Sequence, residues 1–121
     1  MSKIVLTVDD SRTMREMLML ALSNAGYRVV QAEDGMHGLE VLKDARPDVI
    51  ITDINMPRMD GFGFIECVRG DDLHRAVPIL VLTTESDAMK KDRARRAGAT
   101  GWIVKPFDPI KLVEAIRRVA A

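Results

Sequence analysis

Val49-Ile50-Ile51-Thr52-Asp53-Ile54-Asn55-Met56-Pro57 passes without a break from a β-type run into a turn. Val49 to Thr52 show no alternation of polar and apolar positions, which describes a strand covered on both faces, as in a parallel sheet between helices. Asp53 ends the run where the chain leaves the sheet. Asn55 and Pro57 are turn formers, and Asp53 taken alone reads as one too. Asp60-Gly61 then opens a helical pattern through Phe64, Ile65 and Val68.

The same unit repeats on either side. Further strand segments are read at Ile4–Val8, Arg28–Ala32, Ile79–Leu82 and Trp102–Val104. Ser11 caps a first helix with Met14, Met17, Leu18, Ala21, Leu22 and Ala25 on its inward stripe, stopped by Gly26. Met19 and Leu20 fall off that stripe and point away from the sheet. Asp34 caps a second helix, with Leu39 and Leu42 inward and Pro47 beyond its end. A fourth runs from about Ser86 to Ala97 and stops at Gly98. Asp108-Pro109 caps the last, which carries Ile110, Leu112, Val113, Ile116 and Val119. Five β–α units imply an α/β fold, a doubly wound parallel sheet with five helices on its two faces. In such sheets ligands bind outside the carboxyl ends of the strands.

Four of the five strand ends carry polar or charged groups: Asp9-Asp10, Asp53, Thr83 and Lys105. Each has an ordinary explanation, as a helix cap, a turn former, a strand threonine or a solvated lysine. Their joint arrival at one rim is much harder to assign to chance. Two like charges about 4 Å apart repel by about 4 kcal/mol at an effective dielectric near 20, so three carboxylates there call for a proton or a cation. Mg²⁺ suits carboxylates, carbonyls and water, and leaves positions for phosphate oxygens. No His or Cys belongs to the cluster, which speaks against zinc. Lys105 and Thr83 are suited to neutralise the oxygens of a phosphoryl group in transfer, with Asp53 as its nucleophile.

Composition narrows the setting. The 121 residues, 47% hydrophobic and 4% aromatic, suffice for one domain over 1–121 with an aliphatic core. Lys+Arg and Asp+Glu are both 18, so no net charge steers the chain to nucleic acid or to a membrane surface. The single cysteine, Cys67, forms no internal disulfide, and it reads as a packing residue in mid-helix. The apolar run after Met1-Ser2-Lys3 is too short for a membrane span and leads into acids, so a cytoplasmic location is expected. His37, near a helix start, and His74, in a polar loop, read as ordinary residues.

Val8-Asp9-Asp10-Ser11, Asp53-Ile54-Asn55-Met56-Pro57-Arg58-Met59-Asp60-Gly61, Leu82-Thr83-Thr84 and Lys105-Pro106-Phe107 together resemble the receiver domain of bacterial two-component response regulators. Within that family the resemblance is closest to the single-domain chemotaxis regulators of the CheY type, and it spans essentially the whole chain. It implies a flavodoxin-like sheet of order 2-1-3-4-5 and phosphorylation of Asp53. It implies Mg²⁺ held by Asp10 and Asp53, by Asp9 largely through water, and by the backbone carbonyl of Asn55. Thr83 and Lys105 would bind the phosphoryl oxygens, a cis peptide would join Lys105 to Pro106, and Trp102 would be the switch aromatic, working with Thr83. The partners implied are a histidine kinase or histidine phosphotransfer domain, CheA-like, and an output protein such as the flagellar motor switch. That output protein would meet the face of the fourth helix, fifth strand and fifth helix of a monomer. The protein would be a phosphoacceptor that assists its own phosphorylation and dephosphorylation, not an enzyme.

Three departures from the family pattern stand out. Trp102 replaces the usual Tyr or Phe, and Thr84 stands where many relatives carry Ala or Gly. The fourth helix is basic, with Lys90, Lys91, Arg93, Arg95 and Arg96, which reads first as a solvated face. Rival functions are weaker. Aspartyl-phosphate phosphatases resemble D-x-D after the strand, whereas Asn55 here has no acid–base capacity. A flavodoxin-like cofactor carrier would need a phosphate loop where Asp9-Asp10 stand, and no G-x-G-x-x-G is present. With Ala121 one helix beyond Lys105, no DNA-binding output domain is expected. A phosphate sink or a relay intermediate is the alternative to motor binding.

Overall fold

The computed structural model describes residues 2–120. Five strands and five helices alternate: β1 (Ile4–Val8), α1 (Arg12–Asn24), β2 (Arg28–Ala32), α2 (Gly35–Ala45), β3 (Val49–Thr52), α3 (Gly61–Arg69), β4 (Ile79–Thr83), α4 (Ala88–Ala97), β5 (Gly101–Val104) and α5 (Pro109–Val119). The sheet is parallel in the order β2-β1-β3-β4-β5, with β3 at its centre. The expected doubly wound sheet and its order are both observed.

Burial explains why the strand runs are continuous. Every residue of β3 and β4 is buried, because helices cover both faces. One core cluster joins Leu6, Val8, Ile50, Phe64, Ile65 and Val81, with Trp102 packed at its edge. The other joins Val5, Leu18, Leu22, Ile51, Leu82 and Ile116 on the opposite face. Burying each of these side chains contributes about 1.5–3 kcal/mol toward folding.

The helices start where short polar side chains accept orphan N–H groups. Ser11 Oγ accepts from Met14 N, Asp34 from His37 N, Asp60 from Gly63 N, and Asp108 from Ile110 N and Lys111 N. The fourth helix starts at Ala88, later than the Ser86 expected, because Asp87 is the cap and accepts from Met89 N. Strand β4 runs one residue further, to Thr83, and β5 begins one residue earlier, at Gly101.

Five side chains depart from the expected packing. Met17 is 46% exposed and Ile110 71% exposed, since only the Leu18–Leu22 ridge of α1 and the Leu112–Ile116 ridge of α5 are fully buried. Met19, expected to point outward, is half-buried, and its sulfur accepts from Ser23 Oγ; Leu20 is exposed as expected. Cys67 lies on the exposed side of α3 rather than in packing. His74 is 6% exposed, because the turn after α3 folds its ring inward against Asp71 Oδ2 at 3.0 Å.

Candidate functional site

Parallel register brings the ends of β1 and β3 side by side. Val8 pairs with Thr52, and Asp53 N donates to Val8 O at 2.9 Å, so Asp9 and Asp53 leave adjacent strands at one level. Gly61 sets the loop behind Asp53: a Cβ there would lie 2.2 Å from the Asp53 carbonyl oxygen. Only glycine permits that approach.

Asp9, Asp10 and Asp53 each offer a carboxylate oxygen, all within 4.8 Å of one another. Asp9 is 2% and Asp53 9% exposed, whereas Asp10 is open to solvent. Lys105 Nζ spans the two buried acids, 2.8 Å from Asp9 Oδ2 and 2.8 Å from Asp53 Oδ2. The other oxygens accept backbone N–H groups, Asp9 Oδ1 from Ser11 at 2.9 Å and Asp53 Oδ1 from Ile54 at 2.6 Å. Burial pushes the Asp9 carboxyl above the ordinary aspartate range, against the opposing hydrogen bonds from Lys105 and Ser11. Desolvation works to lower the pKa of Lys105, but the hydrogen bonds to Asp53 and Asp9 outweigh it and hold the ammonium above the usual lysine value.

Thr83 is fully buried at the end of β4. Its carbonyl accepts from Lys105 N at 2.8 Å and its Oγ1 from Glu85 N at 3.4 Å. The Lys105–Pro106 peptide is cis, as the resemblance implied. Trp102 is half-buried, and its indole N–H donates to the Glu85 carbonyl at 3.1 Å. Thr84 is exposed beside Thr83.

The fold therefore assembles Asp9, Asp10, Asp53 and Lys105 directly and brings Thr83 to the same rim. Sequence reasoning missed Glu85. Its carboxylate accepts from Asn55 Nδ2 at 3.0 Å and pairs with Lys90 Nζ at 3.1 Å, and these contacts hold its pKa below the usual glutamate range, the Asn55 bond foremost. The available signal was its place two residues beyond Thr83. Arg58 was also missed. At φ 64° it forks onto Asp34 at 2.8 and 3.1 Å, fastening the β3–α3 loop to the cap of α2. Arg15 donates to the Asp9 carbonyl from α1 at 2.6 Å.

Three hard oxygen donors, one of them solvent-facing, fit Mg²⁺ and offer nothing soft for zinc or copper. The sequence profile described as the response regulator receiver domain matches residues 5–117. The chain belongs to the response regulator receiver family. This receiver is 42% identical over 118 residues to the chemotaxis protein CheY1 of Helicobacter pylori, covering 95% of this chain and 94% of that one. It is 41% identical to the probable transcriptional regulator ycf27 of Guillardia theta, spanning 95% of this chain but only 44% of that longer protein. The crystal structure of the chemotaxis protein CheY4 of Vibrio cholerae superposes with a TM-score of 0.94 at 46% identity, covering 98% of this chain and 99% of that one. Receiver domains are phosphoacceptors that bind Mg²⁺ and interact with histidine kinases or phosphotransfer proteins and with output proteins.

Proposed function

We propose that Asp53 accepts a phosphoryl group from a phosphohistidine on a donor protein, and that the acceptor then changes its affinity for an output protein. The observation that carries this is the Lys105 ammonium bridging Asp9 and Asp53 at 2.8 Å each, inside a cluster of three carboxylates. A buried carboxylate needs no base to act as nucleophile. An Asp53 oxygen attacks phosphorus in line, a P–O bond forms as the donor's P–N bond breaks, and the electron pair leaves with the imidazole nitrogen. Lys105 faces the charge gathering on the equatorial oxygens. Thr83 Oγ1 accepts from Glu85 N, so its own proton is available to one of those oxygens.

Asp9, Asp10, Asp53 and the Asn55 carbonyl are the groups assigned to Mg²⁺, which when bound neutralises phosphate charge. Asn55 follows Asp53 where a phosphatase would carry a second acid, so the acyl phosphate lacks a built-in general acid and its lifetime suits a signal. The protein acts as a phosphoacceptor, assisting its own phosphorylation and dephosphorylation, rather than as a turnover enzyme.

The output route runs from Thr83 through Glu85 to Trp102, which lines a groove of about 370 Å³ between α4 and β5 with Lys91 and Arg95. Likeness to CheY1 and CheY4 over nearly their whole lengths supports a chemotaxis role, with a CheA-like donor and the flagellar motor switch as output. The basic character of α4 favours a second reading, a phosphate sink or relay intermediate without motor binding. Among the described residues no helix is long and apolar enough to cross a membrane; a cytoplasmic setting is proposed from the likeness to CheY1.

The test is incubation with acetyl phosphate and Mg²⁺. One phosphoryl group per chain is expected by intact-mass spectrometry, absent in Asp53→Asn and needing more Mg²⁺ in Asp10→Asn. Undiminished incorporation in Asp53→Asn refutes the assignment.

A further inference from the structure

Helix α4 has two flanks. Lys91 and Arg95 line the groove against β5, while Arg93 and Arg96 turn the other way and face α3 across a second groove of about 340 Å³. Glu66, Arg69, Arg93, Arg96 and Ala97 line it, so three guanidiniums meet a single carboxylate. The acid on α4 itself, Asp92, is shared between Arg95 and Arg96.

These arginines are not a loose solvated fringe. Arg93 is folded back over the Phe62 ring, its guanidinium carbon 4.1 Å from the centroid. Arg69 is tied to three backbone carbonyls, those of Gly98 at 2.9 Å, Arg75 at 3.1 Å and Val77 at 2.6 Å. Arg69, Arg95 and Arg96 stand in the last turns of their helices, where cations complement the dipole. That accounts for their positions on the helices but not for Arg93, in mid-helix, nor for the convergence of three guanidiniums on one groove. Side-chain ordering, usually a cost of association, is already met for Arg69 and Arg93.

We infer that the α3–α4 groove is a docking site for a carboxylate-rich segment of a protein partner. Guanidinium forks match carboxylates with paired hydrogen bonds. Nucleic acid fits less well, because the chain as a whole is neutral, with 18 basic and 18 acidic residues. No aromatic side chain lines the groove, and the nearby Phe62 ring is buried beneath Arg93, so no face is offered for base stacking. The site does not rest on the phosphoacceptor reading, since the cation at the acidic cluster is Lys105 and none of the groove arginines reaches it.

The experiment is an amide NMR titration of the intact protein with a capped oligoglutamate peptide at low salt. Shifts are expected at Glu66, Arg69, Arg93 and Arg96, with affinity falling as salt is added. Arg93→Glu combined with Arg96→Glu should weaken binding by roughly tenfold or more. Lys91→Gln, on the opposite flank and outside the Asp92 ion pairs, should change it by less than about twofold for lack of contact. Arg93→Gln with Arg96→Gln, a gentler pair on exposed positions, should weaken it in the same direction. Asp53→Asn should bind as well as the parent, whatever becomes of phosphorylation. Shifts confined to Lys91, Arg95 and Trp102, no saturable shift at all, or tighter binding of an oligothymidylate at the same amides would each overturn the inference.

Discussion

Lys105→Met removes the ammonium from the acidic cluster and keeps an apolar stem of similar length. The lysine side chain is 10% exposed and lies 2.8 Å from both Asp9 Oδ2 and Asp53 Oδ2. One unit-charge pair at that spacing is worth about 6 kcal/mol at an effective dielectric near 20, before desolvation. Much of this is offset by the cost of taking the ammonium out of water, and truncating one partner of a buried pair leaves a net loss of about 3–5 kcal/mol. Domains of this kind are stable by about 5–15 kcal/mol in total, so the loss is large. With a urea slope of about 2 kcal/mol per molar, the unfolding midpoint should fall by about 2 M in EDTA at neutral pH. Mg²⁺ should restore much of it, because the variant's carboxylates lack a competing cation. A hundredfold excess over the dissociation constant adds about 2.7 kcal/mol. The assay is equilibrium urea unfolding followed by circular dichroism, with and without Mg²⁺. A variant as stable as the parent in EDTA, or Mg²⁺ stabilising both to the same extent, would refute this account of the cluster.

Beryllofluoride with Mg²⁺ should alter the emission of Trp102, whose indole N–H donates to the Glu85 carbonyl two residues beyond Thr83; an equal change in Thr83→Ala would sever the assumed coupling. Arg58 holds the Asp34 carboxyl below the usual aspartate range, chiefly through its hydrogen bonds. A depressed folded pKa contributes stability that is complete above the unfolded value of about 3.9 and is lost as pH falls through the folded one. Arg58→Asn, which tolerates the positive φ, should therefore move acid unfolding to higher pH. An unchanged acid midpoint by circular dichroism would count against that ion pair.

Much of the architecture was legible because its signals are local. The unalternated Val49–Thr52 run, and the caps Asp34, Asp60 and Asp108, act within a few residues of themselves. Asp9, Asp53, Thr83 and Lys105 were legible through one rule of topology, that parallel strands deliver their ends to a common rim. Errors arose where tertiary packing decides. Met17 lies on the predicted stripe of α1, but the buried ridge is only wide enough for Leu18 and Leu22. His74 sits among polar neighbours, yet the turn carries it inward to Asp71. At the start of α4, Ser86 and Asp87 are both competent caps, and only the backbone geometry chooses between them. The fork of Arg58 on Asp34 and the single hydrogen bond of Asn55 to Glu85 span 24 and 30 residues and leave no periodic trace.

The contact between Lys105 and Asp9 closes a span of 96 residues. Contacts so distant in sequence form only after the intervening chain is in place. On the ribosome, Asp9, Asp10 and Asp53 emerge long before Lys105 does, so for a time the nascent chain carries these acids without their ammonium. The bridge that ties Asp9 to Asp53 is thereby linked to completion of β5, and a half-made chain carries both acids without the ammonium that joins them.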